Sequence, residues 1–67
     1  MHDARVGIQK LTQAADRGHA HAALALGERY AKGQDGLRRD VPKARLYLNK
    51  ALSLGLPEAH DVLKSIR

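Results

Sequence analysis

The sequence predicts an all-α fold of about four helices, and three observations carry this prediction. Val and Ile together contribute only five residues, and no segment alternates apolar with polar residues as a half-buried strand does. Glycine and proline divide the chain into segments of helical length. The hydrophobic residues, 43% of the chain, are mostly Ala and Leu, which favour helices.

The first two helices are placed by their end signals. The first is predicted over residues 3–17, with Asp3 as its N-cap and Gly18 in the left-handed turn that follows it. The second is predicted over 20–32 and ends at Gly33.

The last two helices follow a polar loop. Asp40 is the expected N-cap of a helix over 41–54, in which Pro42 lies in the first turn, where its missing N–H would have been unpaired. Gly55 ends that helix, and a fourth, over 57–66, opens on a proline.

The chain is small for a folded domain. Its 67 residues, with a mass of 7.3 kDa, form one domain at most, and the absence of Cys, Phe and Trp excludes disulfides, thiolate metal sites and large aromatic anchors. We expect a thin core that is marginal without a partner or self-association. A mean hydropathy of −0.47 excludes a membrane span, and no apolar run follows residues 1–5. We therefore expect a soluble chain without a visible signal peptide, cytoplasmic, or periplasmic if it belongs to a longer exported protein.

The sequence also resembles itself at an offset of 37 residues. The identities lie at the cap Asp, the helix-ending Gly, and small or apolar positions at helical spacing, where a helical hairpin repeat is constrained. They are Asp3 with Asp40, Leu11 with Leu48, Ala14 with Ala51, Gly18 with Gly55, Ala22 with Ala59, and Leu26 with Leu63. This spacing is typical of an α/α solenoid of antiparallel helix-turn-helix units.

One unit of this pattern resembles the SEL-one-like repeat, a relative of the tetratricopeptide repeat. The resemblance implies that 20–55 is one complete repeat, 3–18 the second helix of a preceding one, and 57–67 the first helix of a following one or an end cap. Two departures are the extra residue before Gly36 and Lys64, which stands where the complete unit has glycine. The matching positions are Ala22, Leu26, Gly27, Tyr30, Gly33, Gly36, Asp40, Lys43, Ala44, Tyr47, Ala51 and Gly55.

Two apolar stripes are expected to form the contact between the second and third helices. Glycine in a helix interior costs about 1 kcal/mol relative to alanine, so Gly27 predicts that another backbone approaches closely there. We expect both tyrosines to pack against the core with their hydroxyls at its rim. The stripes are Ala23, Leu24, Gly27, Tyr30 and Ala31 on the second helix, and Ala44, Tyr47, Leu48, Ala51 and Leu52 on the third.

Basic residues are concentrated in one part of the chain. The net charge of +5 arises between residues 29 and 50, where seven basic residues face two acidic ones. Three interpretations remain open: a solvated loop, contact with an acidic protein surface, and nucleic-acid binding, the last disfavoured because no aromatic residues interleave with the cations. The candidate basic patch consists of Arg29, Arg38, Arg39, Lys43 and Arg45.

Catalytic and cofactor motifs are hard to find. No Cys nucleophile exists, and Ser53 and Ser65 belong to no recognisable triad. His19 and His21 are about 200° apart on a helix and cannot share a metal from one face. We therefore expect no enzymatic activity, no catalytic residues, no metal and no cofactor.

The remaining hypothesis is a binding surface. The resemblance implies that the first helix of each pair lines a concave face to which protein partners bind. We predict a non-enzymatic interaction module or assembly adaptor that binds a peptide or partner helix there, with an ordinary solvated face, a nucleic-acid-binding protein and an inhibitor or immunity-like protein as alternatives. The candidate partner-binding residues are His21, Glu28, Lys32, Glu58, Asp61 and Ser65.

Overall fold

The computed structural model describes residues 4–33 and 37–66, and within them the protein consists of four α-helices and no strand. These are α1 (Ala4–Asp16), α2 (Ala20–Lys32), α3 (Val41–Ser53) and α4 (Glu58–Ser65). The predicted fold class is confirmed at this level, and the bounds of α2 are as predicted. The predictions for Asp3 and Gly36 lie outside the described residues.

The other helices end slightly earlier than predicted. Helix α3 stops at Ser53, because Leu54 leaves helical geometry with φ −82° and ψ 6°. Helix α4 begins after Pro57, which occupies the N-cap, and ends before Ile66, whose backbone is extended. The predicted ends of the first and third helices, at residues 17 and 54, were therefore one residue too late, and the range 57–66 was one residue too long at each end.

Two of the turns between helices share one geometry. At the end of α1, Gly18 has φ 93° and the N–H of His19 donates to the carbonyl oxygen of Ala14 at 3.1 Å. At the end of α3, Gly55 has φ 94° and the N–H of Leu56 donates to Ala51 at 3.1 Å. Both are six-residue turns closed over a left-handed glycine, which satisfy carbonyls that a helix end leaves open.

The longer connection between α2 and α3 is held at both ends. Gly33 ends α2 with φ 69°, and a Cβ there would lie 3.1 Å from the backbone nitrogen of Arg39. The N–H of Asp40 donates to the carbonyl oxygen of Tyr30 at 2.9 Å, and its carboxylate accepts from the N–H of Lys43 at 3.1 Å. The predicted cap is confirmed, and the loop places Arg39 beside the C-terminal end of α2.

The core lies where α2 crosses α3, with α1 packed on α2 and α4 on α3. A Cβ on Gly27 would lie 2.6 Å from Cγ of Leu48 and 3.2 Å from the carbonyl oxygen of Ala44, so the predicted close backbone approach is confirmed. The tyrosine rings of the two helices stack with centroids 6.0 Å apart. The buried hydrophobic side chains are Ala15, Ala23, Leu26, Ala44, Leu48, Ala51, Leu56 and Ala59.

The core is as thin as the composition predicts. The chain measures 34 × 27 × 15 Å, and its shortest dimension is only about one and a half helix diameters. Leu52, predicted to belong to the apolar stripe of α3, is instead 36% exposed and is not among the described side chains that pack against the core. None of the helices in the described residues has the length and hydropathy that a membrane crossing requires.

Candidate functional site

The principal candidate site is a cleft of about 280 Å³ at the C-terminal ends of α2 and α4. One helical turn of α2 contributes to it, the last turn of α4 forms the other side, and the segment before α3 adds one residue. Its volume is near the lower end of the range for ligand pockets, about 300 Å³, and suits one or two side chains rather than a large cofactor. The lining residues are Glu28, Ala31, Lys32, Arg39, Val62, Ser65 and Ile66.

The cleft combines an apolar surface with charged groups. Ala31, Val62 and Ile66 are half-buried, and the last two also pack against the core. Lys32 and Arg39 are exposed, so the cleft carries two cations against the single carboxylate of Glu28. A ligand with an apolar side chain beside a negative charge matches this combination.

Ser65 contributes one polar atom of defined direction. Its hydroxyl donates to the carbonyl oxygen of Val62 at 2.8 Å. Because the hydroxyl proton is used within α4, the oxygen is left to act as an acceptor. The serine is exposed, so this acceptor is available to an N–H group of a ligand in the cleft.

The cleft contains three of the six candidate partner-binding residues, Glu28, Lys32 and Ser65. His21, Glu58 and Asp61 do not line it, although all three are exposed. His21 precedes Glu28 by seven residues, which is close to two full helical turns, and Glu58 precedes Ser65 by the same interval. They therefore continue the same helix faces toward the N-terminal ends of α2 and α4.

The sequence interpretation missed the apolar part of the cleft. Val62 lies on α4 and Ile66 directly follows it, and their spacing of four residues is typical of one apolar stripe. That signal indicates burial, but it does not tell which part of the stripe stays open beside α2. Arg39 was assigned to the basic patch, and its position in the cleft follows from the loop contact with Gly33.

The residues of the candidate basic patch lie on different sides of the protein. Lys43 and Arg45 are two residues apart on α3, which separates their side chains by about 200°. The ammonium group of Lys43 lies 5.3 Å from the centroid of the Tyr30 ring, a cation–π distance. Arg39 lines the cleft, Arg38 is exposed in the preceding segment, and Arg29 is half-buried on α2.

A second groove, of about 360 Å³, lies between α1 and α3. The ammonium of Lys50 is 3.5 Å from a carboxylate oxygen of Asp16 across it. Burial raises the pKa of Tyr47, the negative charge of Asp16 and the neighbouring Tyr30 raise that pKa further, and Lys43 opposes them. The groove is lined by Asp16, Leu46, Tyr47, Asn49, Lys50 and Ser53.

The raised pKa of Tyr47 predicts a stability that falls in alkaline solution. The fold favours the neutral phenol, so the contribution of Tyr47 to the free energy of unfolding is fully present below the ordinary pKa of 10.0 and is lost as the pH rises through the raised value. In a Tyr30→Phe background the single tyrosine should ionise above its ordinary range in an absorbance titration. Asp16→Asn should lower that pKa, and Asp61→Asn, which removes an equal charge from α4, should not. Equal titration curves for the two variants would contradict the role of Asp16.

The described residues contain no group of three or more His, Asp or Glu side chains that could hold a metal ion. Comparisons with models of protein families, with curated proteins and with solved structures give no significant match. The geometry of the clefts is therefore the basis on which a function is proposed.

Proposed function

We propose that this chain is a non-enzymatic protein-interaction module that holds a short segment of a partner protein in the cleft between α2 and α4. The observation that carries the proposal is the composition of this cleft. Apolar side chains from Ala31, Val62 and Ile66 lie beside the cations Lys32 and Arg39. The matching segment has one apolar side chain flanked by Asp or Glu residues.

The proposal includes assignment to the SEL-one-like repeat type. Support comes from the turns at Gly18 and Gly55, which have the same hydrogen bonds at positions 37 residues apart. The close crossing at Gly27 and the cap at Asp40 fall on two further positions of the resemblance. In such an array the first helix of each pair, here α2 and α4, contributes to one continuous binding face, and the cleft lies between those two helices.

The test is selection of peptides from a random display library on the immobilised protein. We expect the enriched sequences to pair an apolar residue with neighbouring carboxylates. In a nitrogen-15 NMR titration with a synthetic copy of the best sequence, the shifted amides should cluster at Ala31, Val62 and Ile66. Enrichment without acidic residues, or shifts on another part of the chain, would contradict the proposal.

Matched charge reversals sharpen this test. Lys32→Glu removes a cation and places a second carboxylate in the cleft, beside that of Glu28, and should weaken binding of the selected peptide about tenfold. Lys64→Glu makes the same change at an exposed position of α4 outside the cleft and should alter the affinity by less than about twofold. Equal effects would mean that the net charge, not the cleft, controls binding.

The nucleic-acid alternative is tested by measuring how the same protein binds a single-stranded oligonucleotide. Phosphate contacts release counterions, so binding of a single-stranded oligonucleotide would fall steeply as the salt concentration rises. Oligonucleotide binding that depends on Arg38, Lys43 and Arg45 but not on Val62 would favour that alternative over the peptide site.

A further inference from the structure

The surface formed by α1 and α3 carries two exposed leucines that are not part of the core. Leu46 is 62% exposed in the groove between these helices, and Leu54 is 42% exposed. Leu54 lies over the turn at the end of α1, where a Cβ on Gly18 would be 3.9 Å from its Cδ2 atom. Leu46 lies on α3 and Leu54 directly follows it, eight positions later, and Lys50 is midway between them in sequence.

We propose that this surface binds a second copy of the same chain, with the two α3 helices antiparallel about a two-fold axis near Lys50. In that arrangement Leu46 of one copy meets Leu54 of the other, and the reciprocal contact forms on the far side of the axis. The surface has one exposed leucine at each end and a groove between them, so two copies related by this rotation place each leucine against the other leucine of the partner copy.

The charges on this surface also favour a second copy of the chain as the molecule that binds there. A chain with a net charge of +5 repels its own copies unless the contact surface is neutral. Asp16 and Lys50, 3.5 Å apart, are the two charged residues that line the groove, and their charges cancel. The two-fold axis brings each Lys50 toward the other copy's Asp16, so that the four charges alternate in sign. The arginines at 38 and 39 precede α3 and are carried to opposite ends of the antiparallel pair.

The available area indicates a weak dimer. Helix α3 is about 20 Å long, so contacts along it fall short of the roughly 800 Å² per partner of a standard interface. An interface of that size suits a reversible dimer whose dissociation constant is on the order of 100 µM.

Sedimentation equilibrium over a range of concentrations up to about 1 mM tests the proposal. The wild-type mass should rise from 7.3 kDa toward that of two copies. Leu46→Glu should raise the dissociation constant at least tenfold. Leu52→Glu is the control, because it makes the same change on the same helix in a direction about 120° from that of Leu46, and it should dimerise like the wild type. Circular dichroism of each variant checks that the helices are retained, and Leu46→Gln replaces the glutamate variant if it unfolds.

A charge swap tests the orientation of the two copies. Lys50→Asp alone gathers four carboxylates at the axis and should abolish the dimer, although it lowers the net charge. Adding Asp16→Lys to the same chain restores alternation and should restore the dimer. A wild-type mass that stays monomeric, a Leu46→Glu variant that dimerises normally, assembly beyond two copies, or a failure of the swap to rescue would each overturn the proposal.

Discussion

Replacing Leu48 by alanine is expected to leave most of the chain unfolded at 25 °C. Leu48 and Leu26 are the largest side chains of the described residues that are fully buried. Removing a buried leucine costs about 2–5 kcal/mol, through lost transfer free energy and the cavity that remains. A chain of 67 residues has a total stability of about 3–10 kcal/mol, and a core made mainly of alanine places this one near the lower end.

The measurement is urea unfolding followed by far-UV circular dichroism, in dilute solution where the chain is monomeric. Leu46→Ala is the control, because it removes the same atoms from the same helix at a position that is 62% exposed. We expect it to change the unfolding free energy by less than about 0.5 kcal/mol. A Leu48→Ala variant that unfolds within a few tenths of a kcal/mol of the wild type would show that the crossing of α2 and α3 does not carry the stability.

The parts of the fold that the sequence predicted correctly include the Asp40 cap, the glycine turns at the helix ends and the close contact between α2 and α3. Local chemistry sets the helix ends, so Asp40 and the glycines at 18, 33 and 55 were assigned correctly from the sequence alone. Gly27 was also informative, because glycine is unfavourable inside a helix and its presence there pointed to the close contact with α3 that the structure has. These signals need no knowledge of the distant parts of the chain.

Which surface residues are covered and where a cleft opens depend on how the helices pack against one another, and no short stretch of sequence encodes that packing. The period of α3 places Leu52 near the buried stripe, but whether a neighbour covers it depends on the positions of α1 and α4. The same holds for the cleft, where Glu28 and Ser65 were predicted to share a face while the opening between Ala31 and Val62 was not. Arg39 reaches the cleft through a loop contact, and loop geometry is not read from helical periodicity.

Replacing Gly27 by alanine is expected to destabilise the protein, although alanine is the better helix former. The substitution gains about 1 kcal/mol of helix propensity. The new Cβ, however, would lie 2.6 Å from Cγ of Leu48, which is fully buried, and 3.2 Å from the carbonyl oxygen of Ala44. Overpacking of this kind costs about 1–3 kcal/mol, and contact with backbone leaves little relief, so we expect a net loss of about 1 kcal/mol or more.

Gly7→Ala provides the matched comparison. Gly7 also lies inside a helix, α1, but a Cβ there has no neighbour within 4 Å. This substitution should therefore stabilise the chain, by up to about 1 kcal/mol. In thermal unfolding the two variants should move the midpoint in opposite directions, by about 4–8 °C per kcal/mol for a domain of this size. Midpoints that both rise would contradict the close approach of α2 to α3.

The Gly27→Ala variant also tests whether the crossing of α2 and α3 controls the shape of the proposed cleft. The strain at Gly27 is relieved by moving α2 away from α3, and Glu28 and Lys32 move with α2. Helix α4 is packed on α3 and stays behind, so the cleft between Ala31 and Val62 widens. Folded Gly27→Ala protein should therefore bind the selected peptide more weakly than the wild type, whereas Gly7→Ala should bind it unchanged. Unchanged binding by folded Gly27→Ala protein would place the peptide on a surface that does not depend on the spacing of α2 and α4.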